Sequence, residues 1–345
     1  MAAATAPPVP FTWTRHHVID SASLSRYEIE EILKTARTFS EILARPVKKV
    51  PTLRGKVVVN MFYENSTRTR TSFELAGKYL SADTLNFGVS TSSVKKGESL
   101  QDTMETLLAM GTDAVVIRHG SSGICQQLAH LLGNRVCILN AGDGYHDHPS
   151  QGLLDLYTML QHMPGETGVA GKKIAIVGDI AHSRVARSNI HVLSTMGADV
   201  HVVGPATLLP AGVEQLPCTV HYRLEDALRD ADLVMCLRIQ LERQKTGLMP
   251  SMDEYIRFFQ VNRERLNAWC RPEVHIMHPG PMNRNIELSS DLADDPQRSL
   301  IVQQVANGVA IRMALLYLVL GAQANDSSDP LFQEVKGERP HAHSA

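Results

Sequence analysis

Two rhythms of apolar and polar residues run through this chain. Short apolar, β-branched runs at Val57–Phe62, Asp113–His119, Arg135–Gly144, Lys173–Gly178, Asp199–Gly204, Asp232–Gln240 and Pro272–Pro281 predict buried strands. Between them, apolar residues return at helical spacing. Leu24, Ile29, Ile32, Leu33, Ala36 and Phe39 predict an amphipathic helix within residues 18–45, with Asp20, Ser21 or Ser23 as its N-cap. Phe73, Ala76, Gly77 and Leu80 mark a second, and Leu100–Met110, a segment beginning at Leu153–Leu160, Arg184–Met196 and a closing stretch from about Ser299 to Leu320 mark others. Such alternation of strand and helix predicts an α/β protein built on parallel sheets. A chain of 345 residues exceeds one ordinary core, and Met163-Pro-Gly-Glu-Thr-Gly-Val-Ala-Gly171 is its best boundary signal. Two domains are expected, each a parallel sheet flanked by helices.

The junction after the first strand carries the most chemistry. At Ser66-Thr67-Arg68-Thr69-Arg70 a strand turns into a helix, so free backbone N–H groups, three hydroxyls and two guanidiniums converge on an anion site. Two cations in a first turn oppose the helix dipole unless an anion compensates them. The glycines and the Gly-Lys-Ser/Thr ending of a Walker loop are missing, so a different phosphate cradle is implied.

Totals narrow the classes of function. Charged residues make up 20% and the formal net charge is −2, so no global field favours nucleic acid or acidic membrane surfaces. The five cysteines, Cys125, Cys137, Cys218, Cys236 and Cys270, are scattered without Cys-x-x-Cys spacing, which argues against a disulfide framework or zinc knuckle and fits a reducing cytoplasm. The N-terminal residues lack a basic start and an apolar core, as expected of a flexible lead-in rather than a signal peptide. The apolar run Ala310–Ala322 is interrupted by Arg312 and falls short of the ~20 residues that cross a bilayer, so it reads as a buried helix.

Further along, Gly88–Ser99 predicts an exposed loop holding Lys95 and Lys96, and the polar residues from Leu241 to Asp253 another. His146 and His148 flank Asp147, but no third ligand at useful spacing joins them, and a neutral His148 donating a hydrogen bond is more economical than a metal. The βαβ unit from Lys173 to Gly204 lacks Gly-x-x-Gly after Gly178 and an acid ending its second strand, which disfavours a dinucleotide. One regularity remains: the strands end at Ser66–Arg70, Arg118, His148–Gln151, His182–Arg184, Arg238 with Gln240, and His278–Pro281. Ligands of open parallel sheets bind beyond the strand C-terminal ends, so two facing sheets would gather these groups into one cationic interdomain cleft. Without metal, nucleophile or cofactor, such a cleft suits group transfer from an already activated donor, an acyl phosphate.

At this point the motifs resemble a known family. Ser66-Thr-Arg-Thr-Arg70, Lys95-Lys-Gly-Glu98, His148-Pro-Ser-Gln151, Gly178-Asp-Ile-Ala-His-Ser-Arg184, Arg238-Ile-Gln240 and His278-Pro-Gly-Pro-Met-Asn-Arg284 together look like the catalytic chain of the aspartate carbamoyltransferases, in order from about Phe11 to Leu320. The resemblance implies transfer of the carbamoyl group of carbamoyl phosphate to L-aspartate, giving N-carbamoyl-L-aspartate and phosphate on the way to pyrimidines. It implies that Ser66, Thr67, Arg68 and Thr69 cradle phosphate, that Thr69, Arg118 and His148 polarise the carbamoyl oxygen, and that Gln151 with the backbone at Gly280 and Pro281 holds the carbamoyl NH₂. Arg184, Arg238 and Gln240 are implied for aspartate, while Ser92 and Lys96 correspond to residues lent by an adjacent subunit of a homotrimer. No metal and no cofactor are expected.

By the same resemblance residues 13–152 form the carbamoyl phosphate-binding domain, 153–298 the aspartate-binding domain and 299–322 a helix packing back on the first, with flexible ends at 1–12 and 323–345. A pairing of two trimers, with regulatory chains or with dihydroorotase, stays open. Two departures stand out: Gly120 after Arg118-His119, and Gly280 where some members have leucine, which should loosen that turn. The rival reading is ornithine carbamoyltransferase. Its cationic acceptor would sit poorly between Arg184 and Arg238, and that family carries His-Cys-Leu-Pro where this chain has His278-Pro-Gly-Pro. A non-catalytic scaffold is the alternative of another class, opposed by retention of the polar groups of the cleft.

Overall fold

Buried β-branched runs and amphipathic segments sort into two parallel sheets covered by helices. The computed structural model describes residues 12–88, 99–163, 165, 167–240, 248 and 251–324. Strands β1 (Val57–Phe62), β2 (Asp83–Gly88), β3 (Ala114–His119) and β4 (Cys137–Asp143) form the first sheet, in the order β2-β1-β3-β4. Its helices are α1 (Arg26–Leu43), α2 (Thr67–Tyr79), α3 (Leu100–Ala109), α4 (Ile124–Leu132) and α5 (Pro149–His162). The second sheet, β7-β6-β5-β8-β9, comprises β5 (Lys173–Val177), β6 (Asp199–Val203), β7 (Thr219–His221), β8 (Leu233–Cys236) and β9 (His275–Met277). Helices α6 (Arg184–Thr195), α7 (Leu224–Leu228), α8 (Met252–Phe259), α9 (Arg263–Trp269), α10 (Ser290–Ala293) and α11 (Ile301–Ala324) complete the order. Every strand pairing is parallel. That explains the unbroken apolar runs: Val58, Val59 and Met61 are shielded from both faces.

Several elements differ from the sequence reading. Helix α1 is capped by Ser25 in a capping box with Glu28, not by Asp20, Ser21 or Ser23. Ser21 is spent instead on Asp147, and Asp20 accepts the Ser23 N–H. The C-terminal ends of β8 and β9 come early, so Arg238, Gln240 and His278 stand on the loops beyond them. Strands β2 and β7 and helices α4, α7, α8, α9 and α10 had no expected counterpart; in β2 and β7 polar residues interrupt short apolar runs.

Helix α11 is longer than its apolar run suggested. Ile301–Gly321 is long and apolar enough to cross a membrane, yet 72% of that window is buried against the fold. It packs chiefly on α1, α2 and α5 and also touches β9. Helix α5 packs in turn on α6, so one core cluster runs from Val58 and Leu139 through Leu153 to Ile174 and Val202. Because α5 starts at Pro149, the expected boundary between residues 152 and 153 falls inside a helix. Its first turn sits at the site, and its body joins the two halves.

Candidate active site

Helix α2 begins with Ser66 in extended backbone at the N-cap, but the Ser66 hydroxyl makes no capping bond and no acid stands in the first turn. The anion-binding end of the helix is thus left unspent by the chain's own caps. Thr69 is buried, with Oγ1 3.5 Å from His148 Nε2. Arg70 leaves the expected set. It is exposed and acts on Glu74, since helical residues two positions apart lie on opposite faces.

Arg68 reaches across to the second sheet. A Cβ at Gly280 would lie 3.1 Å from Arg68 Cζ, so the glycine lets guanidinium and backbone meet. Gly280 has φ +62° and its N–H donates to His278 Nδ1 at 2.8 Å, while His278 Nε2 lies 3.1 Å from Glu287 Oε1. The expected looseness of this turn is therefore offset by a fixed hydrogen-bonded frame. Partial burial and the nearby charge of Arg238 lower the Arg68 pKa, which places these two guanidiniums in one electrostatic neighbourhood.

Arg118, at the end of β3, and Arg184, opening α6, meet over Gly142. A Cβ there would come within 3.1 Å of Arg118 Nη1 and 2.9 Å of Arg184 Nη1. Arg118 Nη1 donates to the Ala141 carbonyl at 3.1 Å, and its Nε lies 3.4 Å from Glu64 Oε2. The same Glu64 oxygen accepts from Arg184 Nη2, so one carboxylate ties the first sheet to the second. Sequence reasoning missed Glu64, although an acid two residues ahead of a cationic cradle is a visible signal. Gln240 Nε2 donates to the His182 carbonyl at 3.1 Å, and His182 Nδ1 lies 2.8 Å from Asp179 Oδ1.

His148 is buried beside these groups. Its N–H is shared between Asp147 Oδ1 at 2.6 Å and Ser188 Oγ at 2.8 Å, and Ser150 Oγ stands 3.5 Å from Nδ1. Asp147, flanked by histidines in the sequence, serves as an anchor: it also accepts from the N–H and hydroxyl of Ser21 and from Ser188. His146 turns to Asp143 instead. Among the described residues no three His, Cys, Asp or Glu side chains are grouped to hold a metal ion. Gln151 Nε2 donates to Asp155 Oδ1 at 2.9 Å, so its Oε1 is the end of the amide turned away from Asp155. Ser92 and Lys96 lie outside the described residues.

Burial, then the charges of Arg118, Arg312 and Arg184, holds the His148 imidazole well below its ordinary 6.5. It is neutral at physiological pH, able to donate from one ring nitrogen. A base depressed in the folded state is protonated first in the unfolded chain, so acid removes stability below about pH 6.5. His148→Gln should flatten that acid slope by at most about 1.4 kcal/mol per pH unit, read from urea midpoints between about pH 5 and 7. An unchanged slope would mean His148 is charged in the fold.

Two parallel α/β halves with guanidiniums from four loci at their strand ends define a group-transfer enzyme for anionic substrates, working by position and charge. The chain belongs to the aspartate/ornithine carbamoyltransferase family: its carbamoyl-P binding domain matches residues 16–161 and its Asp/Orn binding domain residues 170–319. The aspartate carbamoyltransferase catalytic subunit of Gloeobacter violaceus is 54% identical over 91% of this chain and 98% of its own. That of Moorella thermoacetica is 55% identical over 89% and 98%. Aspartate transcarbamoylase from Trypanosoma cruzi, solved with carbamoyl phosphate and aspartate, superposes with a TM-score of 0.77 at 26% identity, covering 88% of this chain and 96% of the other. Ornithine carbamoyltransferase from Pyrococcus furiosus reaches the same TM-score at 26% identity, covering 90% and 99%. Backbone shape therefore does not separate the two acceptors; the sequence relatives do.

Proposed function

We propose that this chain transfers the carbamoyl group of carbamoyl phosphate to the amine of L-aspartate, yielding N-carbamoyl-L-aspartate and phosphate for pyrimidine synthesis. The observation that carries the reading is a set of guanidinium contacts between the two halves: Arg68 lies against Gly280, and Arg118 and Arg184 share the Glu64 carboxylate. An ornithine side chain would add a cation to this crowd, whereas aspartate brings two carboxylates for two guanidinium forks.

In this reading Ser66, Thr67, Arg68 and Thr69 hold the phosphate at the α2 N-terminus. Thr69, Arg118 and neutral His148 donate to the carbonyl oxygen, whose charge grows as the unprotonated amine attacks. Gln151 Oε1 and the carbonyls at Gly280 and Pro281 accept from the carbamoyl NH₂. Arg184, Arg238 and Gln240 orient aspartate, and Arg68 stabilises the departing phosphate, which takes up the amine proton. Carbamoyl phosphate binds first, and no covalent enzyme intermediate is required. Phosphate release that depends on both aspartate and carbamoyl phosphate is the test; release that responds to ornithine instead, or none at all, would defeat the reading.

The active assembly is a cytoplasmic homotrimer in which Ser92 and Lys96 complete the site of the neighbouring chain. The family resemblance supports this arrangement. Mixing inactive Lys96→Ala subunits with inactive Arg68→Ala subunits should regenerate part of the activity, since some interfaces then pair two intact contributions. No recovery after verified subunit exchange would assign each site to a single chain.

A further inference from the structure

Asp155 lies one helical turn after Gln151 on α5, fully buried, and none of the roles above uses it. Three side-chain amides from three helices aim at its carboxylate. Oδ1 accepts from Gln151 Nε2 at 2.9 Å and Gln304 Nε2 at 2.8 Å, and Oδ2 from Asn189 Nδ2 at 2.8 Å. An ionised carboxylate only accepts, so each amide must turn its nitrogen inward and its oxygen outward. For Gln304 the outward oxygen accepts the His278 N–H at 2.9 Å, and the His278 ring in turn accepts the Gly280 N–H. For Gln151 the outward oxygen is the one assigned above to the carbamoyl NH₂. Burial raises the Asp155 carboxyl to about 6, opposed by hydrogen bonds from Asn189, Gln304 and Gln151 and by the charge of Arg312, so it stays ionised at neutral pH.

Resting on the carbamoyl-transfer reading, we propose that Asp155 is the positioning residue for donor recognition: it fixes the Gln151 amide with oxygen toward the cleft and, through Gln304, frames the Gly280–Pro281 turn, so that acceptors face the NH₂ of the donor. The chemical consequence is selectivity. An acyl phosphate with CH₃ in place of NH₂ leaves those buried acceptors unpaired, whereas carbamoyl phosphate satisfies them. In Asp155→Asn one acceptor becomes a donor, and Gln151 can relieve the clash by turning its own NH₂ toward the cleft.

The discriminating measurement is the ratio of dissociation constants for acetyl phosphate and carbamoyl phosphate on the full-length enzyme. Asp155→Asn should weaken carbamoyl phosphate about 10-fold while changing acetyl phosphate less than about 2-fold, consistent with loss of one buried hydrogen bond. A purely structural role would weaken both alike, and that result, or an unchanged ratio, overturns the proposal. Gln151→Glu combined with Asp155→Asn restores a donor–acceptor pair while keeping a carboxylate oxygen toward the cleft. This double variant should regain selectivity to within about 3-fold of wild type, and it serves as the decisive protein should the single variant not fold; a double variant with the ratio collapsed also overturns the proposal. Wild-type protein without aspartate-dependent phosphate release would sink the functional reading itself, whereas active wild type with a selective Asp155→Asn variant would sink only the role of Asp155.

Discussion

Arg118→Ala is expected to lower kcat by about 10³-fold while weakening carbamoyl phosphate binding far less. Removing a single preorganised donor to a developing oxyanion typically costs about 10²–10³ in turnover, and here the donor carries full charge in a partly buried site. Arg118 is held in place before substrate arrives, by the Ala141 carbonyl and by Glu64. No reorganisation is then needed as charge accumulates on the carbonyl oxygen. Steady-state turnover and a separate carbamoyl phosphate titration decide the matter: equal losses in both would make Arg118 a ground-state binding group only.

Gly142→Ala is expected to lose both arginines at once. Gly142 sits at φ +115°, where an L side chain is strained by an order of 1–3 kcal/mol, and its new methyl would press on Arg118 and Arg184 at 3.1 and 2.9 Å. Misplacement by a fraction of an ångström near the reacting atoms suffices for about a 10²-fold fall in kcat. Gly55→Ala is the control, because Gly55 also has positive φ, +82°, but a Cβ there meets nothing within 4 Å. Both variants should melt earlier, and only Gly142→Ala should lose turnover. Comparable activity in the two would show that Arg118 and Arg184 do not depend on that contact.

Much of the site was legible because its signals are local. Ser66 to Thr69 announce themselves by hydroxyls and cations at a strand-to-helix junction, and Arg118 by a charge ending an apolar run. Asp155 was less visible but not hidden, as the lone acid among Leu153, Leu154, Leu156 and Tyr157 on a buried helix. Glu64 itself stands in view just ahead of the cradle, but its pairing was out of reach: it lies 120 positions from Arg184, and only folding shows that one carboxylate serves both Arg118 and Arg184. Gly142 likewise reads as one more residue of the Arg135–Gly144 strand until two guanidiniums are found against it.

Periodicity, turn residues and strand-end chemistry determined by themselves that this is a two-sheet α/β protein with an anion cradle and a cationic set, because each depends on residues close in the chain. Tertiary structure alone decided that Arg68 meets Gly280, that Arg118 and Arg184 share Glu64, and that Asp155 orders amides from α5, α6 and α11. These pairings depend on how α5 and α11 lock the halves together. That angle is set by the packing of a core contributed by the whole chain, which no single stretch encodes.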